Sequence, residues 1–388
     1  MRRFVRAAVR WLNLPLILAL LVLVRVVLPQ RKVHVVVMDS RYFGHQCLEA
    51  EGFWNDKFSS AERGSRDIWL GCIGPKTTAN SKYMWELQRE QLPTVPSWLV
   101  TDAAFWQERF GLSTINFVPA SIYRLNFLTS RPTSLPAGGE IANRRSAILR
   151  KLYEPDRPYV VFTVREWIPK ATKKKDLRNR RIEDFEPAMT ALVQRGYNVI
   201  RLSSRTSDRL SVNDGHILDW QVLVDGEPGD ELAIVSGASF VVSTTTGGDC
   251  LALAYRRPVL YLDSARLFLA FFGTELATIH MPKMSDSKSA QRLSLKNVLE
   301  RNLGWVGDQR CFAAAEVTVT ISTPDELRRH VLEYVDFLQS RVADGIGIDE
   351  RWRSLVRAFH GEEIQALHGG IRARMHPATL RDVVGTDS

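Results

Sequence analysis

The sequence predicts an α/β protein with mainly parallel sheets, built from two Rossmann-like halves behind an N-terminal membrane-associating segment. Three observations carry this expectation. Short β-branched runs alternate with amphipathic helical patterns along most of the chain, the order that gives parallel strands joined by crossover helices. The stretch Leu232–Asp263 (LAIVSGASFVVSTTTGGDCLALAYRRPVLYLD) reads as helix, strand, tight turn, helix, strand. Between the halves, Thr129–Gly139 (TSRPTSLPAGG) sets two prolines and two glycines among small polar residues, the best linker in the chain.

Taken in order, the first element is the segment Met1–Gln30. Arg2, Arg3, Arg6 and Arg10 precede an apolar run, Leu12–Leu28, broken by Pro15 and Arg25. There is no small-residue cleavage site, so a removed signal peptide is not expected. The run is short for a bilayer crossing and carries a charge near its end. The reading is an interfacial or re-entrant anchor on the cytoplasmic face of the inner membrane, with a single-pass anchor as the alternative.

Val33–Met38 (VHVVVM) opens the first half as a strand, followed by the loop Asp39 to His45 and a helix pattern from Gln46. Ile68–Ile73 is a second strand and Ala79–Gln91 a helix. Leu99 and Val100 start another strand–helix pair, and Ile115–Val118 is a further strand. After the linker, Glu140–Tyr153 is helical and Tyr159–Val164 (YVVFTV) opens the second half, with Arg165 at the strand's end. Lys170–Arg181 (KATKKKDLRNRR) is a basic loop, Arg181–Gly196 a helix, and Tyr197–Leu202 a strand with Arg201 near its exit.

In the central stretch, Ser239–Ser243 is a buried strand and Asp249 caps the helix that runs to Tyr255. Beyond Asp263, Ser294–Asn302 is a short helix and Val317–Ile321 a strand. Thr323-Pro324-Asp325-Glu326 is a capping box with proline at the first helical position. Asp349–His360 is a last helix, and from Gly369 the tail is basic and without regular structure. The domains are then 1–31 (membrane segment), 32–135 (N-terminal half), 140–345 (C-terminal half) and 346–388 (helix and tail).

Composition narrows the function. At 388 residues, 45% apolar and 24% charged, the chain is globular and long enough for two domains and a tail. A net charge of +9 points to anionic company: nucleotide phosphates, anionic lipid or nucleic acid. Nucleic acid is set aside, because no helix-turn-helix, RRM or KH signature accompanies the charge. The four cysteines lack metal-ligand spacing and read as core residues of a reducing compartment. No Asp-x-Asp pair is present to hold a metal ion and no GxGxxG follows the first strand, so neither a metal nor a dinucleotide cofactor is expected.

The candidate site is the turn Ser243, Thr244, Thr245, Thr246, Gly247, Gly248 and Asp249. A strand that ends in small hydroxylated residues at a helix N-terminus offers N–H groups and a positive dipole end to a phosphate or diphosphate. Read more plainly, it is an ordinary strand-to-helix turn. Arg165, Arg178, Asn179 and Arg201 stand at strand ends or in the basic loop of the same half. Arginine's planar fork matches phosphate oxygens, although a lone arginine is more often a surface or ion-pair residue.

Several of these residues also carry a resemblance. Arg41-Tyr42-Phe43-Gly44-His45 is similar to the Arg-x-Gly-His stretch of a family of bacterial glycosyltransferases inferred from surface-polysaccharide loci, with one residue extra before Gly44. The likeness continues through Arg178-Asn179, Gly196–Arg201, the Ser/Thr-Gly turn, and Pro282-Lys283 followed by Arg292-Leu293-Ser294, so that it covers about Leu14 to Arg341. It implies a GT-B-like architecture with distant likeness to fucosyltransferase-type donor domains, in which an arginine in the position of Arg165 contacts the donor diphosphate. Where that family has His-x-Arg, this chain has Thr163-Val164-Arg165.

The resulting expectation is a metal-independent glycosyltransferase that moves a sugar from a nucleotide-sugar to a glycan or lipid-linked acceptor in surface polysaccharide biosynthesis, at an anionic membrane surface. The donor belongs to the second half, the acceptor to the first, and a cleft between them is the default ligand site. His45 and Asp39 are the expected base and its partner, with Arg41 and Gly44 in the same loop. The alternative for His45 is a helix-capping or purely structural role. The alternative for the whole chain is a non-catalytic carbohydrate- or nucleotide-binding subunit of an assembly complex.

Overall fold

The computed structural model describes residues 2–28, 32–38, 47–48, 51, 68–73, 83–84, 86–87, 93–112, 114–119, 133, 135–166, 176–203, 209–221, 226–270, 273–340, 346–368 and 370–384. It divides into two compact units, Met1–Tyr123 with Thr133–Leu135, and Arg124–Pro132 with Pro136–Ser388.

In the first unit α1 (Arg2–Val27) precedes a parallel sheet in the order β2 (Ile68–Ile73), β1 (Val33–Met38), β3 (Ile115–Pro119). Leu99 and Val100 start no strand; they belong to α2 (Ser97–Phe110), which begins directly after Pro96. The stretch Ala8–Val27 is long and apolar enough to cross a membrane, with a mean hydropathy of 1.9. Its two sides differ. Ile17 (0% exposed) and Leu21 (2%) are buried with Val33, Val35, Val100 and Trp106 in the core of the unit. Leu12 (79%), Leu16 (56%) and Val26 (70%) stand outside it. Asp102, on α2, holds the helix by accepting from Arg10 Nε at 3.3 Å and Asn13 Nδ2 at 2.9 Å.

The second unit contains α3 (Gly139–Leu149), β4 (Tyr159–Thr163), α4 (Glu186–Gln194), β5 (Asn198–Ser203), β6 (Ile217–Gln221), α5 (Asp230–Ser236), β7 (Phe240–Ser243), α6 (Gly247–Ala254), β8 (Val259–Tyr261) and β9 (Ala277–Ile279). There follow an antiparallel pair, β10 (Lys283–Asp286) and β11 (Val317–Thr320), then α7 (Pro324–Ser340), α8 (Ile346–His368) and β12 (Arg374–Met375). One parallel sheet of seven strands runs β12-β9-β8-β7-β4-β5-β6. β4 and β7, at its middle, are buried along their whole length, as near-continuous apolar strands of a doubly covered sheet should be.

One face is covered by α4 and α7, whose Met189, Leu192, Leu327, Val331 and Tyr334 meet Phe162, Val199, Phe240 and Val242 of the strands. The Phe240 and Tyr334 rings cross edge to face, centroids 5.2 Å apart. α7 begins with the expected capping box: Glu326 N–H donates to Thr323 Oγ1 (3.3 Å) and Thr323 N–H to Glu326 Oε2 (2.9 Å).

Three expectations are corrected. The helix after the basic loop starts as a 3-10 turn over Ile182–Phe185 and becomes α-helical only at Glu186, where Pro187 suits the first turn. The last helix is longer than Asp349–His360 and kinks at His360. The tail is structured over residues 370–384: β12 pairs in parallel with β9, and His376 N–H donates to the Ile279 carbonyl at 2.7 Å.

Candidate functional site

The winding of the large sheet reverses between β4 and β7. From β4 the chain steps outward through β5 to β6, returns to β7 beside β4, and then steps the other way through β8 to β9. Loops leaving β4 and β7 therefore diverge, and the crevice at the carboxyl ends of the strands is where open α/β sheets take ligands. Arg165 leaves one side of this crevice and the turn Thr244–Gly248 the other.

Three of the turn's four hydroxyls have a defined job. Thr244 Oγ1 accepts from the backbone N–H of Arg165 at 2.9 Å. Ser243 Oγ accepts from Thr245 N–H at 3.0 Å. The helix cap is Thr246 rather than Asp249: Thr246 Oγ1 accepts from Gly248 N–H at 3.2 Å, and α6 begins at Gly247. The exposed amide of Gly247 has no acceptor in the protein among the described residues. Thr245 sits at φ +64°, a left-handed conformation that costs a β-branched residue about 1–2 kcal/mol. A side chain at Gly248 would place its Cβ 2.7 Å from Thr163 Cγ2, so glycine is required by the packing of α6 on β4.

Opposite the turn, Asp176 organises the arginines. Arg178 clamps it through Nε to Oδ1 (3.0 Å) and Nη2 to Oδ2 (2.6 Å), while Arg165 Nη2 lies 3.8 Å from Oδ2. Burial alone would raise the Asp176 carboxyl, but hydrogen bonds and charge from Arg178, with the Arg165 charge, outweigh it and hold it below its ordinary value. Arg165 Nε also donates to Asn179 Oδ1 at 2.9 Å, and the side chain remains 40% exposed. The loop is fixed to the strand end by Arg180 N–H, which donates to the Arg165 carbonyl at 2.9 Å.

The structure thus brings together Arg165, Arg178, Asn179 and the turn, and sets Arg201 apart. Its guanidinium is buried (1% exposed) and committed to Glu166 and, at 2.6 Å, to Asp219. Ser243, Thr244 and Asp249 are buried and build the turn from within. Burial pushes the Asp249 carboxyl up to about 7, against the hydrogen bond it accepts from the Cys250 N–H at 3.0 Å. Asp39, Arg41, Gly44 and His45 lie outside the described residues.

Sequence reasoning missed Arg180. It is buried against Asp263, which also accepts from Ser322 N–H (3.1 Å) and Oγ (2.7 Å). An aspartate closing the strand-like run LYLD was the available signal. Among the described residues one grouping has the character of metal ligands, His330, Glu333 and His376, whose ligand atoms lie within 4.8 Å of one another. Two of its three members are already engaged, however. His376 Nε2 donates to the His330 carbonyl (2.9 Å), His376 Nδ1 accepts from Ala378 N–H (3.2 Å), and both Glu333 oxygens bind Arg381 at 3.0 Å. The group works as a latch for the C-terminal segment.

No family model matches the sequence, and no curated protein matches it. Among solved structures the chain is similar to the Escherichia coli ADP-heptose lipopolysaccharide heptosyltransferase II, at 11% identity over 60% of this chain and 84% of that one, with a TM-score of 0.38. It is similar to a glycosyl transferase family 9 protein from Veillonella parvula, at 11% identity over 74% of this chain and 96% of that one, TM-score 0.38. It is also similar to the E. coli heptosyltransferase WaaC with ADP-2-deoxy-2-fluoro heptose, at 13% identity over 59% and 88%, TM-score 0.29. No residue role in this chain rests on these likenesses.

Proposed function

We propose that the chain is a GT-B-like glycosyltransferase that moves a sugar from a nucleotide-sugar donor to a glycan or lipid-linked acceptor of a surface polysaccharide. The observation that carries the reading is the pairing, at the switch point of the sheet, of an exposed helix N-terminus with an arginine held in place beside it. In this reading the donor diphosphate lies against the Gly247 amide and the dipole of α6, and Arg165 meets its charge. Asn179 and Asp176 orient Arg165, and Arg178 positions Asp176. As the sugar–phosphate bond breaks, negative charge grows on the departing diphosphate, and these fixed donors stabilise it without reorganisation. His45 is proposed as the base that takes the acceptor proton, assisted by Asp39.

The same reading places the protein at a membrane. An apolar helix bonded along its side to Asp102, with one face in the core of its unit and the other exposed, supports an in-plane anchor over a crossing one. The cytoplasmic face of the inner membrane is part of this proposal.

The test is a screen of nucleoside diphosphates for thermal stabilisation of the full chain. A ligand at 100 times its Kd raises stability by about 2.7 kcal/mol. Arg165→Ala should weaken the best binder by about 1.5–3 kcal/mol. His45→Ala should cut sugar transfer about a hundredfold or more with donor affinity within a few fold. Binding without turnover for any donor would favour the non-catalytic subunit, and no binding at all would remove the donor site.

A further inference from the structure

Beyond the switch point, the carboxyl edge of the same sheet holds a cavity of about 360 Å³ that the donor reading does not use. His280 follows β9 into it, α7 supplies Arg329 and His330, and the β10–β11 pair supplies Lys283. None of the turn residues, nor Asp176–Arg181 of the basic loop, lines it. We propose that this cavity binds a phosphoryl group, carried by a small monoester or as free phosphate, at a site separate from the donor site.

Charge is the first argument. Four cations (Lys283, Arg292, Arg329, Arg381) face three carboxylates across the cavity. Three ion pairs account for most of them: Lys283 with Glu326 at 2.6 Å, Arg292 with Asp382 at 3.1 Å, and Arg381 with Glu333 at 3.0 Å. Arg329 has no carboxylate within ion-pair distance among the described residues, so the wall carries one uncompensated positive fork.

The second argument is the pair of imidazoles. His280 and His330 are 5% and 4% exposed, with ring centroids 4.0 Å apart. His280 Nδ1 accepts from Asp263 N–H at 3.4 Å, which leaves its proton on Nε2 as a donor. His330 lines the cavity, and its buried Nδ1 has no hydrogen-bond partner. Folds normally satisfy such an atom, and His330 is a lining residue whose ring keeps an unused hydrogen-bonding nitrogen.

Size and lining select the ligand. The volume is at the small end for ligand sites but exceeds a bare phosphate. Among the described residues, no aromatic ring other than the histidines lines it, so they offer no stacking surface to a nucleobase. Two neutral imidazoles and a guanidinium fork around a polar space suit a phosphoryl group with a small polar tail.

Isothermal titration of the full chain with inorganic phosphate and with glycerol 3-phosphate tests this. Saturable binding is expected, weakened about tenfold or more by Arg329→Ser and by His330→Asn and unchanged by Arg165→Ala. Because Arg329 is exposed, its serine variant is expected to fold even where a substitution at His330 does not. An ester that binds about tenfold tighter than phosphate identifies a monoester site; equal binding identifies free phosphate. Binding retained in Arg329→Ser and lost in Arg165→Ala would overturn the proposal, since the anion would then occupy the switch-point turn. So would the lack of saturation by either probe up to tens of millimolar. Neither result depends on whether a nucleoside diphosphate binds.

Discussion

The backbone N–H of Arg165 donates to Thr244 Oγ1 at 2.9 Å, tying the outgoing end of β4 to that of β7 where the winding of the sheet reverses. The strands are already in register there, Thr163 beside Ser243, and this bond extends the pairing by a side chain where no further ladder bond forms. Thr244→Val keeps the volume and removes the acceptor. It should cost about 1–3 kcal/mol in urea unfolding and weaken nucleoside diphosphate binding, whereas Thr244→Ser should restore both.

Gly248 and Thr163 form a pair that should behave non-additively. Gly248→Ala drives a Cβ to 2.7 Å from Thr163 Cγ2 and is expected to destabilise by about 1–3 kcal/mol. Thr163→Ser removes that methyl and should recover most of the loss. Independent, additive effects in a double-mutant cycle would contradict the contact.

Arg201→Ala should act on folding rather than on ligand. It leaves Glu166 and Asp219 without their buried partner, a loss of about 3–5 kcal/mol for a broken buried pair. A stable variant with lost nucleotide affinity would return Arg201 to the donor site.

Acid should loosen the second unit. Burial holds His330 and His376 down to about 4, and His280 well below its ordinary value. The unfolded chain, with histidines near 6.5, binds more protons between those limits, so their contribution is complete above about 6.5 and lost as pH falls toward 4. Asp249, raised to about 7, acts in the opposite sense as pH climbs from about 4 to 7, but it is one group against three. Urea midpoints should therefore fall from pH 7 to pH 5, and His376→Asn should flatten that slope by roughly one proton.

Deleting residues 1–30 should release the protein from membranes and also destabilise the first unit. The helix brings Ile17 and Leu21 into the core, and each buried side chain of this size contributes about 1.5–3 kcal/mol. Flotation on vesicles and thermal unfolding of the truncated chain read the two effects separately. A truncated chain as stable as the full one would mean that the helix is only an anchor.

Strands were legible where burial is two-sided, because runs such as YVVFT and FVVS leave no other reading. The turn was legible too, since TTTGG between strand and helix has few uses. Arg201 was not, because an arginine at a strand end looks the same in sequence whether it awaits a phosphate or a carboxylate. Its partners sit 35 and 18 residues away, where no local pattern points to them. The histidine cluster was hidden for the same reason, its members arriving from β9, α7 and the tail. β12 is only two residues long and shows no periodicity, so its pairing was invisible until β9 was in place beside it.

That short strand bears on how the chain is made. On the ribosome, β9 is complete about a hundred residues before β12 leaves the exit tunnel, and until then its outer edge has no neighbour in the sheet. An open edge of this kind recruits strands from other chains. Premature stops or protease cuts just before Arg374 would therefore yield aggregation rather than a slightly shorter folded chain. A bulky fusion is better tolerated at the N-terminus, although there it adjoins the apolar helix α1.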